Sequence, residues 1–180
     1  ILSHFHGDHI LGVRNKAGQL VYPNAKIMVP SVEHAFWMDD ARMAAAPDAM
    51  KGAFQTVRRM LGGLNDSQMV KFEAGTEIVP GIKSVAAYGH TPGHTLFMVE
   101  SKGEKFAYVA DITNVPQLFA RNPDWAVQFD MNAEEARVAR RKVFDMIVND
   151  KVMAGGFHFP FPAFGRVEKL GNGFEFKPVA

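Results

Sequence analysis

A chain of 180 residues, 47% hydrophobic and 22% charged, has the size and composition of one globular domain or of part of a larger one, and its core needs no covalent staples. Twenty basic against nineteen acidic residues leave a net charge of +1, with no long run of like charge, so neither nucleic acid nor a membrane surface has compositional support as a partner. The absence of cysteine excludes disulfides, a thiolate nucleophile, Cys-ligated zinc and iron–sulfur clusters, and no apolar stretch is long enough to span a bilayer.

In chain order, Ile1-Leu2 reads as the end of a buried strand that feeds a polar loop, Ser3–Asp8. The chain starts without Met and meets its richest chemistry within ten residues, where termini tend to fray. It is therefore expected to be a fragment or processed chain with an N-terminal portion missing. A helix is expected to begin over Ile10–Val13, and Lys26–Val29 reads as a short strand closed by Pro30. Ser31 is a candidate N-cap for a helix over Val32–Asp39, because its hydroxyl can accept from an early backbone N–H. Met50, Phe54, Val57 and Leu61 fall at helical spacing, and Gly62-Gly63 ends that helix.

Short strands follow at Met69–Phe72, Glu77–Val79, Ile82–Ala87, Thr95–Val99 and Lys105–Ala110, punctuated by Gly75, Pro80-Gly81 and Gly103. Asn132 with Glu135 resembles a capping box opening a helix from Ala133 to about Val148. Ala136, Val143, Met146 and Ile147 would be its apolar face, and Arg137, Arg140, Arg141 and Lys142 its wet one. The tail forms a hairpin about Gly171-Asn172-Gly173. Strand runs with intervening helices and no repeats indicate an α+β fold.

The densest chemistry is His4-Phe5-His6-Gly7-Asp8-His9. Alternate residues of an extended stretch point the same way, so His4 and His6 can face one point, and Asp8 and His9 a second where the chain turns into a helix. Three more segments carry candidate ligands: Gly89-His90-Thr91-Pro92-Gly93-His94 between two strands, Asp111 at the end of a strand, and His158 among aromatics. Six of the seven histidines lie in the tract, the 89–94 loop and the segment around His158, leaving only His34. Imidazole and carboxylate without sulfur suit Zn²⁺, Mn²⁺ or Fe²⁺. Five imidazoles (His4, His6, His9, His94, His158) and two carboxylates exceed the needs of one tetrahedral ion, which points to two ions sharing Asp111.

The order His-x-His-x-Asp-His, Gly-His-Thr-Pro-Gly-His, strand-end Asp and late His resembles the metallo-β-lactamase superfamily over residues 1–180. The resemblance implies an αββα sandwich lacking the N-terminal part of its first sheet, with this chain as the C-terminal two-thirds of the domain. It also implies that His4, His6 and His94 hold one ion and Asp8, His9 and His158 the other, with Asp111 bridging. His90 matches a position that is not usually a ligand and is expected to orient the loop. Ala110-Asp111-Ile112-Thr113, the helix after Phe129-Asp130, and Gly156-Phe157-His158-Phe159-Pro160-Phe161-Pro162 resemble the methyl parathion hydrolase-like branch. Three residues after Asp111, where quorum-quenching lactonases commonly carry Tyr, this chain has Asn114.

The implied activity is hydrolysis of ester-type bonds (phosphotriester, carboxylic ester or lactone) by a hydroxide between two divalent ions, Zn²⁺ first, with Mn²⁺, Fe²⁺ or Co²⁺ as alternatives. Asp8 is the candidate catalytic acid–base group. The alternatives are an N-acyl homoserine lactonase and a truncated metal-binding remnant without activity. Trp37, Phe54 and Phe119 are expected at the cleft mouth, and Phe159, Phe161 and Phe164 under or beside the metals, which favours a small hydrophobic ester-like substrate. A homodimer is kept open alongside the small-molecule substrate as a partner.

Overall fold

The computed structural model describes residues 1–179, which divide into two compact units, Ile1–Glu73 and Ala74 onward. Among the described residues the fold is α+β, with a two-stranded and a seven-stranded sheet, and no helix is long and apolar enough to cross a membrane.

The first unit contains α1 (Gly7–Ile10), β1 (Ile27–Pro30), α2 (Ser31–Met38), α3 (Asp40–Ala45), α4 (Asp48–Leu61) and β2 (Met69–Phe72). β1 and β2 run parallel, in register from Ile27↔Met69 to Pro30↔Phe72. The apolar spacing of α4 puts Phe54, Val57, Met60 and Leu61 in the core, as that periodicity requires. Two local expectations are corrected. The first helix starts at Gly7, inside the histidine tract, and ends at Ile10 instead of starting there. Ser31 does not cap α2: Pro30, the last residue of β1, occupies the N-cap position and makes no side-chain cap bond, and Ser31 is already helical. After α2 the chain forms α3, because Asp39 accepts from the Arg42 backbone N–H at 3.0 Å and so nucleates a further turn.

The second unit is a sheet in the order β3 (Glu77–Val79), β4 (Ile82–Ala86), β5 (Thr95–Ser101), β6 (Glu104–Tyr108), β7 (Met153–Gly155), β8 (Phe164–Leu170) and β9 (Gly173–Pro178). Every pair is antiparallel except β6–β7. A parallel pair needs a crossover, and this one holds α5 (Pro116–Phe119) and α6 (Ala133–Asn149). The core gathers Leu96, Ala107 and Val109 from the sheet side with Val143, Phe144 and Ile147 from α6. Asn132 caps α6 by accepting from the Glu135 N–H at 3.2 Å, as the capping box predicts.

The assignment of Arg140 to the wet face of α6 is overturned, since it is 1% exposed. Ala136, Arg140, Val143 and Ile147 form one helical stripe, and the guanidinium inherits the buried side of that stripe.

Register explains where the loops gather. Ala86 pairs with Thr95 and Phe97 with Tyr108, so the 87–94 loop and the chain leaving β6 emerge at the same end of the sheet. β7 is parallel to β6, so the segment carrying His158 leaves that end as well.

Candidate metal centre

In the first unit, residues 3–6 are irregular and α1 follows at once, so the tract turns over within one short segment. His4 is fully buried, and its ring lies edge-on to His6 at 5.0 Å between centroids. Ligand atoms of His4 and His6 are within 4.8 Å of each other, as are those of Asp8 and His9. The His9 ring lies 4.1 Å from that of His4, yet the tract keeps the two ligand points expected of it, His4 with His6 and Asp8 with His9. Asp8 stands at 3.5 Å from the His9 Nε2, with half its side chain open to solvent.

The backbone of this tract is anchored from a distance. The Phe5 N–H donates to Glu33 Oε1 at 2.9 Å, and the same oxygen accepts from the Trp37 indole N–H at 2.8 Å. Glu33 is fully buried, and these two bonds account for a carboxylate inside a core.

In the second unit, Asp111 directly follows Ala110, whose φ of +47° places a non-glycine residue in the left-handed region. Strain of that kind persists where surrounding structure fixes it and clusters at functional sites. Asp111 Oδ2 lies 3.4 Å from His90 Nε2 and 3.3 Å from His158 Nε2. His94 is fully buried, with Nδ1 at 2.9 Å from the Ala87 carbonyl. A carbonyl only accepts, so Nδ1 carries the proton and Nε2 carries the lone pair. Consistently, Nε2 accepts from the Asp111 backbone N–H at 3.1 Å.

His90 sits between two carboxylates, with its Nδ1 at 2.9 Å from Asp130 Oδ1. Burial alone would lower its pKa, but hydrogen bonds and charge from Asp111 and Asp130 outweigh burial and push it up to about 9. Burial and the Asp111 charge likewise raise Tyr108 above the ordinary phenol value.

These donors fit divalent cations. The set is nitrogen and oxygen without sulfur, and His94 holds the tautomer that a Nε2 ligand needs, fixed by a carbonyl in the manner usual for metal-bound histidines.

Other expected site residues lie elsewhere. Trp37 and Phe54 are each 1% exposed and pack tilted against one another, with ring centroids 4.8 Å apart, so they belong to the core and not to a cleft mouth. Phe119 is half-buried on α5, with the Arg140 guanidinium 5.8 Å from its ring centroid. Phe159 is buried in the core, while Phe157 and Phe161 are exposed around His158 and Phe164 is 41% exposed. Sequence reasoning missed Asp130, Arg140 and Glu33 as supporting groups. For Arg140 the signal existed in its spacing from Ala136 and Val143.

A family model for the metallo-beta-lactamase superfamily matches residues 1–152. Among solved structures, the hydrolase AbOPH of the beta-lactamase superfamily superposes with a TM-score of 0.91 at 24% identity, covering 99% of this chain and 62% of that one. AidC, a dizinc quorum-quenching lactonase, gives 0.86 at 28% identity, covering 99% and 63%. A probable metal-dependent hydrolase from Staphylococcus aureus gives 0.69 at 25% identity, covering 87% and 52%. The chain thus spans less than two-thirds of each of these structures. No curated protein matches it.

Proposed function

The chain belongs to the metallo-β-lactamase superfamily, and from that membership we propose that it is a metal-dependent hydrolase of ester-type bonds with a binuclear centre. Following the family's pattern, His4, His6 and His94 would hold one divalent ion and Asp8, His9 and His158 the other, with Asp111 shared. Bound ions of this kind lower the pKa of water into the neutral range and polarise a carbonyl or phosphoryl oxygen. Zn²⁺ suits the nitrogen-rich donor set, and Mn²⁺, Fe²⁺ and Co²⁺ are alternatives.

The chain's own residues supply the rest. Asp8 is half exposed, so it can reach a reacting group and carry a proton to the leaving oxygen. His94, with Nδ1 committed to the Ala87 carbonyl, is held in the tautomer that keeps Nε2 unprotonated, as a Nε2 ligand requires. Phe157, exposed with its ring 5.0 Å from that of His158, and Phe161, exposed three residues after His158, offer apolar surface to an uncharged substrate. This replaces the support expected from Trp37 and Phe54. The AidC likeness favours including a lactone among the substrates, although Asn114 stands where such lactonases commonly carry Tyr.

The observation that carries the reading is Asp111 Oδ2 flanked by two imidazole nitrogens, next to a His94 already in ligand tautomer. The test is a hydrolysis panel of a phosphotriester, a γ-lactone, an aryl ester and a thioester, alongside metal analysis. Two metal equivalents per chain are expected, with activity lost to a chelator and restored by Zn²⁺ or Mn²⁺. Hydrolysis that survives exhaustive chelation would overturn the proposal.

A further inference from the structure

Arg140 is the largest charged side chain in the core, and burying a guanidinium is costly unless every donor is used. Its donors are well occupied: Nε donates to the Ile112 carbonyl at 2.9 Å, one terminal nitrogen to the Pro123 and Trp125 carbonyls at 2.9 and 3.0 Å, and the other to Asp130 Oδ2 at 3.0 Å. The second oxygen of Asp130 binds His90 Nδ1 at 2.9 Å, and His90 Nε2 faces Asp111 Oδ2 at 3.4 Å. The chain of contacts therefore closes on itself. From one guanidinium it reaches the backbone beside Asp111 through Ile112, and the Asp111 carboxylate through Asp130 and His90.

Backbone bonds fasten the same circuit. Met131 N–H donates to the His90 carbonyl at 3.1 Å and Asn132 N–H to the Gly89 carbonyl at 2.8 Å. A packing salt bridge needs only its partner charge. This one also grips both the main chain and the side-chain oxygen around a single carboxylate.

We propose that Arg140 and Asp130 are positioning residues that act through His90 to fix the rotamer of Asp111 as a metal ligand. The proposal rests on the binuclear reading above. Residues that orient ligands in this way usually change metal affinity by about 10–100-fold when altered.

The test uses the full chain stripped of metal, titrated with Zn²⁺ against a chelating indicator and with Co²⁺ followed by its d–d absorption. Asp130→Asn keeps the shape and removes the charge. It is expected to weaken Zn²⁺ binding by about 10–100-fold and to alter the cobalt band. His90→Gln, which leaves Asp130 and Arg140 paired, is expected to weaken Zn²⁺ binding likewise, and it decides the matter alone if Asp130→Asn does not fold. A purely structural role would lower the melting temperature of the metal-free chain while both equivalents bind the folded variants as tightly as the wild type with an unchanged cobalt spectrum. That result overturns the proposal while leaving the hydrolase reading intact. A wild-type chain that takes up no metal overturns both.

Discussion

Trp37 donates its indole N–H to Glu33 while its ring covers Phe54, so each of these aromatics serves the first unit's interior. Trp37→Ala or Phe54→Ala should cost about 3–5 kcal/mol, read by denaturant unfolding. A cleft-lining aromatic would instead raise KM with little loss of stability. His34, half-buried on α2, has its pKa lowered, first by burial and then by the charge of Lys71. The folded chain thus prefers it neutral, whereas the unfolded chain protonates it near the ordinary value of about 6.5. Its contribution to stability is intact above that pH and is lost as pH falls through 6.5 towards the lower folded value. His34→Gln should therefore lose less stability than the wild type between pH 7 and pH 5, measured by unfolding at both.

At the scale of elements, the loop that carries His90 and His94 depends on how closely it approaches α6. Gly89 has φ of +120°, and a Cβ there would stand 2.1 Å from the Ala136 backbone nitrogen. Gly103 also has positive φ, +81°, but nothing lies within 4 Å. Gly103→Ala should therefore cost only the backbone strain of about 1 kcal/mol, and Gly89→Ala at least about 2 kcal/mol more, because backbone must move. Thermal unfolding of the two variants checks the difference. Asn132→Ala should cost about 1 kcal/mol through loss of the α6 cap.

Much of this layer was legible beforehand. Gly75, Pro80-Gly81, Gly103 and Gly171-Asn172-Gly173 mark strand ends because turn conformations demand those residues. The short helices α3 and α5 escaped because a single turn has too few residues to show a period. The charge of Arg140 suggests a wet position, but its place on the stripe of Ala136, Val143 and Ile147 decides its burial.

For the whole molecule, a cation that binds the native state and not the unfolded chain must stabilise it by mass action. Zn²⁺ at a hundredfold its Kd adds about 2.7 kcal/mol per site, which for a chain of this size is a rise of roughly 5–10 °C in Tm. Differential scanning fluorimetry with and without Zn²⁺ checks it, with Ca²⁺ as the oxygen-preferring control that should leave Tm unchanged. The candidate donor types are legible in the sequence, since six histidines in three segments form a chemical signature that needs no coordinates. The supporting groups are not, because Asp130 lies 40 residues from the His90 that it holds, and only the fold sets that distance to 2.9 Å.

Glu33 touches no imidazole in any bond described above, yet it grips the peptide N–H of the residue that separates His4 from His6. Helix α2 and the histidine tract are thereby yoked across 28 residues of sequence. Directed evolution of this scaffold that diversifies only the histidines would overlook the handle by which their spacing can be tuned.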